Sequence, residues 1–257
     1  MNDAPPSEPP RDPMRAARAG MRPAAIKRFF ANARVGEAGG GGFALLIDGR
    51  RALTPARKPL ILPSRALAEA IAAEWAGQGE TIDPALAPLT RLANSAIDGV
   101  AAAMEETRAE IAGYAGSDLL CYRAEAPDAL VAAETEAFDP VLDWAERALA
   151  AKFLLGEGVV HVRQPARALK AVRAALETIE DPFALAALHV MTSLTGSALL
   201  ALAVVRSALS AEDAWRIAHV GEDFQIAQWG EDEEAKARRA ARRREFEAAG
   251  RMMGARR

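Results

Sequence analysis

His189 and Ser193 stand four residues apart. On a helix they share a face, where an imidazole could take a proton from a hydroxyl. No GxSxG elbow or oxyanion loop accompanies them. The competing reading is a serine bonded back to a helix carbonyl, beside a satisfied interior histidine. His161, His189 and His219 are dispersed, and none sits in a HExxH spacing, which argues against a zinc centre. The run GEAGGGG leads into a strand, whereas a phosphate cradle needs a strand before it and a helix N-terminus after it. One cysteine, Cys121, can form neither an internal disulfide nor a multi-thiolate site. The expectation is a protein without cofactor or metal.

The stretch 221–232, GEDFQIAQWGED, holds a more promising group. Seven residues make about two helical turns, so a helix over SAEDAWRIAHVGEDFQIAQW aligns Trp215, Glu222 and Trp229 on one stripe. Ile217, Val220 and Phe224 fall on the opposite side. A carboxylate among tryptophans is costly unless paired or hydrogen-bonded. Three readings stay open for Glu222: an internal arginine partner, a partner-facing carboxylate with Trp215 and Trp229 as anchors, or the isolated acid of a small enzyme with a helical-bundle pocket. Asp223 and Glu231 are counted with Glu222 as candidate partner-binding residues. The basic run from Lys236 to Arg244 follows acids at 231–234, and it reads as a solvated amphipathic helix suited to the helix dipole. Nucleic-acid binding is not expected, because no aromatic residues interleave with those arginines and the net charge is −3.

The elements that must position these residues fall into two parts. The Pro-rich start, residues 1–22, reads as a disordered tail with no secretory h-region. From 23 to 120 the chain reads as a mixed α/β domain. FALLI (43–47) is a strand ended by Asp48-Gly49, a tight-turn pair, and the chain from Arg51 returns as the next strand. Gly36 to Gly42 reads as a connection. Pro55, Pro59 and Pro63 exclude a long helix there. Ser64 caps a helix with Leu67, Ala70, Ile71 and Trp75 on one face, ended by Gly77 and Gly79. That face makes Trp75 structural, a residue packing its helix on the sheet; Asn94 and Gly196 are also assigned structural roles. Helices follow over LTRLANSAIDGV and AMEETRAEIAGYAGSD, then LLCYRAE as an extended piece.

From 121 to 257 the chain reads as all-helical, with GVVHV (158–162) the one strand-like segment. No residue from Pro182 to Val205 carries a formal charge, a length that flags a membrane span. Its Ala content and the central Thr-Ser-Leu-Thr-Gly-Ser favour a buried helix or helical hairpin instead. The fold class is α+β: a small α/β domain with an antiparallel sheet, then a helical bundle.

Several stretches resemble one family: DGRRALTPARKPLILPSRALAEAIAAEW, PLTRLANSAIDGV, YAGSDLLCYRA, DPVLDWA, FALAALHVMTSLTGSALLALAV and SAEDAWRIAHVGEDFQIAQWGED. Together they are similar to the assembly chaperones of the ATP synthase catalytic head, the family that binds the unassembled alpha subunit. The resemblance covers roughly residues 43–235, outside the tail and the last basic helix. It implies a chaperone rather than an enzyme, with the alpha subunit as partner and its beta-facing surface shielded. It places the family's sensitive acid at Glu222 and its helix-ending tryptophan at Trp75. Ala76 and Gly99 stand where many relatives carry an acid and an arginine. The accompanying expectations are a bacterial, cytoplasmic monomer with no stable membrane insertion.

Overall fold

The computed structural model describes residues 26–255. The expected tail, 1–22, lies outside them. Strands β2 (Ala33–Gly39) and β3 (Gly42–Ile47) form an antiparallel hairpin. Strand pairing therefore claims most of the glycine stretch expected to be a connection. Asp48 and Gly49 both take positive φ, 46° and 81°, the left-handed pair of a type I′ turn. This turn delivers β4 (Arg50–Arg51) back onto β3. β5 (Ile61–Leu62) pairs with the start of β3, and β1 (Ile26–Lys27) pairs with β6 (Thr81–Ile82).

Helix α1 (Arg65–Ala76) starts where the sequence places it, since Ser64 Oγ accepts from the Leu67 N–H at 3.1 Å. It buries Leu67, Ala68, Ile71 and Ala72. Its Glu74 carboxylate caps α2 (Pro88–Asp98), accepting from the backbone of Leu89 at 2.7 Å and Thr90 at 2.9 Å. α3 (Met104–Tyr114) follows. The LLCYRAE piece is only partly extended: Leu119–Cys121 is a 3-10 turn, and β7 is Tyr122–Arg123.

The second half contains α4 (Asp128–Leu149), α5 (Ala166–Glu177), α6 (Pro182–Thr195), α7 (Ala198–Val205), α8 (Ala211–Ala218), α9 (Val220–Trp229) and α10 (Glu233–Gly254). The strand expected at 158–162 is displaced. β8 is Gly156–Glu157, parallel to β7, while Val159 and Val160 are exposed. A valine-rich run reads as a strand, but among the described residues no strand pairs with it.

The uncharged run divides at Gly196, which takes φ 69° as the C-cap of α6. α6 and α7 bury nearly all their side chains, as a helix apolar all round must. α6 packs against α2, α3, α7 and α10. Among the described residues no helix is long and apolar enough to cross a membrane. One cluster of buried side chains runs from Leu45 to Met252, through both halves of the chain.

Asp118 joins the halves. Fully buried, its carboxylate accepts from the Leu120 N–H at 3.2 Å and from Leu199, in the first turn of α7, at 3.1 Å. Burial pushes this carboxyl up to about 6, against the lowering effect of its hydrogen bonds.

Two helical expectations need correction. The helix expected over 210–229 is broken at His219, whose φ −111° and ψ 15° separate α8 from α9. And α10 is not merely a solvated helix. Its second half buries Phe246, Ala248, Ala249 and Met252 against the core, a stripe at helical spacing beyond the basic run.

Candidate protein-binding surface

α8 is fixed at its start by a reciprocal cap. Ser210 Oγ accepts from the Asp213 N–H at 3.0 Å and donates to its carboxylate at 2.7 Å. The Ser210 hydroxyl is the main reason the Asp213 carboxyl lies below the usual range. One turn on, Trp215 and Ile217 point inward. Trp215 is only 6% exposed, packed on Phe246 at 5.3 Å and stacked on His219 at 3.7 Å. The His219 Nδ1–H donates to the Trp215 carbonyl at 2.7 Å, and burial holds this imidazole below its usual pKa. A neutral ring that donates through Nδ1 carries a lone pair on Nε2. So His219 Nε2, 3.8 Å from Glu222 Oε2, offers that carboxylate no proton at neutral pH.

The partner of Glu222 is Arg239 on α10, whose Nε lies 3.7 Å from Oε2. The same guanidinium also bonds Asp223. One arginine therefore faces two carboxylates, leaving a residual negative charge. Glu222 is 40% exposed and Asp223 47%, against 21% for Arg239, so the acids face water and the base lies beneath them. Of the residues singled out in the sequence, Glu222 and Asp223 come together here. Trp215 lies under them, inside the fold. Glu231 joins Asp223, Lys236 and Arg243 along a charged cleft of about 450 Å³. Trp229 stands at the end of α9, 80% exposed.

On the other flank of α8 and α9 runs a mostly apolar groove of about 620 Å³ against α4, lined by Pro140, Val141, Trp144, Leu209 and Val220. Arg216 borders both the groove and the charged cleft. Pro140 lies inside α4 and has no N–H to give to the carbonyl of Glu136, a residue that also borders the groove. Sequence reading missed Trp144 and Arg239 as members of this surface. Trp144 was visible in DPVLDWA, and Arg239 in the basic run, but nothing local shows that either meets α9.

Trp75, Asn94 and Gly196 lie away from this surface. Trp75 is half-buried. Its Nε1–H donates to Thr90 Oγ1 at 3.2 Å and its ring packs on Phe30 at 5.4 Å. It thus fastens α1 to α2 and to the segment before β2. The His189–Ser193 pair does no joint work: Ser193 Oγ donates to the Val190 carbonyl at 3.1 Å, and His189 Nε2 lies 3.2 Å from Glu110. Among the described residues no cluster of His, Cys, Asp and Glu could hold a metal ion.

The family model of the ATP12 chaperone protein matches residues 27–146. The fold superposes on Atp12 from Paracoccus denitrificans with a TM-score of 0.82, at 43% identity over 90% of this chain and 99% of that one. The chain belongs to the ATP12 chaperone family. An Atp12p variant from P. denitrificans, with an aspartate replaced by lysine, matches with a TM-score of 0.81 at 43% identity, over 90% of this chain and 98% of that one. A candidate chaperone from Agrobacterium tumefaciens matches at 0.85 and 47% identity, over 95% of this chain and 91% of that one. This is the assembly-chaperone family that the sequence resembles. Its members are described as chaperones and not enzymes, which removes the reading of Glu222 as an enzyme's acid. The family model ends within α4, taking in Pro140, Val141 and Trp144 of the groove but not α8 and α9, whereas the structural matches span 90% or more of the chain.

Proposed function

We propose that this chain assists assembly of the catalytic head of the proton-translocating ATP synthase by holding the unassembled alpha subunit and shielding its beta-facing surface. It does so as a monomer in the bacterial cytoplasm. Family membership supports the class of function. The observation that carries the site is the surface of α8 and α9: a half-solvated acid cluster with an apolar groove on one flank and the exposed Trp229 at its tip. A free subunit exposes apolar surface meant for its neighbour, and such surface aggregates. A groove with an acidic rim covers it while the acids set register through charge.

The test is Glu222→Lys, with melting temperature and alpha-subunit binding measured on one sample. In the free protein the ion pair to Arg239 is half-exposed, so its loss costs about 0–1 kcal/mol and the variant stays folded. If the carboxylate meets a cation of the alpha subunit at a desolvated contact, binding weakens by about 2–5 kcal/mol. A folded variant that binds the alpha subunit as the wild type does removes Glu222 from recognition. A wild-type protein that neither binds the alpha subunit nor suppresses its aggregation removes the client assignment.

A further inference from the structure

We propose that a cleft in the N-terminal half, remote in sequence from Glu222, is a second binding site that takes an extended acidic segment of a partner polypeptide. The cleft is about 580 Å³, lies beside β4, and is floored by Ile47, Leu60 and Trp75. Two large apolar side chains on its lining are left in water, Phe29 at 68% exposure and Leu53 at 57%. Large exposed apolar groups gathered at one concavity mark an interaction site.

The lining of this cleft is net positive, two arginines against Asp48. Arg50 and Arg51 line it, and among the described residues neither has an acidic partner within ion-pair distance. The carboxylates nearby are all committed to the fold. Asp48 accepts from the backbone N–H groups of Ala31 and Asn32, at 3.1 and 2.8 Å. Asp98 accepts from Thr54 Oγ1 at 2.6 Å and the Ala56 N–H at 3.0 Å. Glu74 is occupied by the α2 cap. A ligand for the two arginines must therefore bring its own negative charge.

Uncommitted polar atoms define the rest of the ligand. The Thr90 hydroxyl is used twice, donating to Glu74 and accepting from Trp75. Asn94, also on the lining, is not satisfied: its buried Oδ1 finds no donor among the described residues. That oxygen is occluded, so a ligand would meet the Nδ2–H₂ end of the carboxamide, which makes no hydrogen bond among the described residues. The shape points to an extended chain. β4 has β3 as its sole strand neighbour among the described residues; beyond it the chain turns back on itself, Ala52 accepting from the Leu60 N–H at 3.2 Å and Leu53 bridging Pro59, so the edge left at the cleft is that of Arg50 and Arg51. A peptide lying along that edge would set alternate side chains on the apolar floor and against the arginines. The Trp75 ring is already packed on Phe30, which leaves Phe29 as the one strongly exposed ring on the lining; single-stranded nucleic acid stacks successive bases on several such platforms, so the cleft suits a peptide better.

The experiment uses the full chain against an array of short random peptides. The binders expected carry two or more acids beside a large apolar residue. The strongest of them, resynthesised, binds R50E/R51E at least about tenfold more weakly, as reversed charge at a contact requires. It also binds Asn94→Leu more weakly. That variant melts no lower than wild type, because it removes a buried oxygen without a donor; a purely structural Asn94 would leave peptide affinity unmoved. Glu222→Lys leaves this peptide bound, which separates the site from the alpha-subunit surface. The proposal is overturned if nothing enriches, or if the enriched peptides are not acidic. It is also overturned if R50E/R51E binds normally, if Glu222→Lys abolishes binding, or if a short single-stranded oligonucleotide displaces the peptide.

Discussion

Replacing Asp118 by asparagine keeps the shape of the side chain and removes its titration. The wild-type carboxyl has a folded pKa of about 6, raised by burial, whereas an unfolded chain holds aspartate near 3.9. A raised folded value means that the native state binds the proton more tightly. The stabilisation is full below the unfolded pKa and is lost as pH rises through the folded one. Between pH 4.5 and pH 7 the group surrenders about 2 kcal/mol, worth about 4–8 °C in melting temperature for a chain of this size. Asparagine shows none of this. It also keeps only one acceptor oxygen where the carboxylate serves Leu120, Leu199 and the Ser197 hydroxyl, so one donor loses its partner at about 1–3 kcal/mol. Asp118→Asn is therefore less stable than wild type by about 1–3 kcal/mol at pH 7 and by about 3–5 kcal/mol at pH 4.5. Chemical denaturation of both proteins across that range measures the difference directly, because all other titrating groups are common to both. Parallel stability curves would refute a perturbed carboxyl at this junction.

Gly196→Ala should cost about 1–2 kcal/mol through its positive φ alone, since the added Cβ meets nothing nearer than Leu119 Cβ at 3.9 Å; thermal melting checks it. Trp75→Arg loses the Thr90 hydrogen bond and the Phe30 contact and sets a cation at a half-buried site, for a loss of about 2–4 kcal/mol. An unchanged melting temperature would contradict its structural role. Cys121 is sealed, and burial, reinforced by the Asp118 charge, pushes its thiol up to about 12. An aromatic disulfide reagent should leave it untouched in the native protein and titrate it fully in denaturant.

What could be read from the sequence was local. Ser64, Asp48-Gly49 and Gly196 each act on their own turn of chain, through a hydroxyl cap or a left-handed φ, and each stands where the pattern places it. Asp118 was not legible as a junction, because its second helix lies far along the chain. The break at His219 was hidden for a similar reason: no proline or glycine occupies that position, and the stacking of its ring on Trp215 is a feature of the folded chain. β8 could not be placed from composition, since a two-residue parallel pairing with β7 depends on where α4 ends. The candidate surface was half legible. Its acids stood out among apolar neighbours, but the arginine under them and the groove against α4 are products of packing between distant helices.

The position of α10 has a consequence for how the protein is made. Among the described helices this one leaves the ribosome last, yet it supplies Phe246, Ala249 and Met252 to the packing around α6, and Ser64 donates its hydroxyl to the carbonyl of Ala255. From the completion of α6 until α10 follows it, then, α6 stands with one apolar flank bare. The nascent chain passes through the same predicament as an unassembled subunit, a greasy face waiting for its cover, and resolves it with a segment of its own. Ribosomal pace between α6 and α10 sets how long that exposure lasts. A prematurely terminated chain would never leave it, and would be a substrate for proteolysis rather than a weakened chaperone.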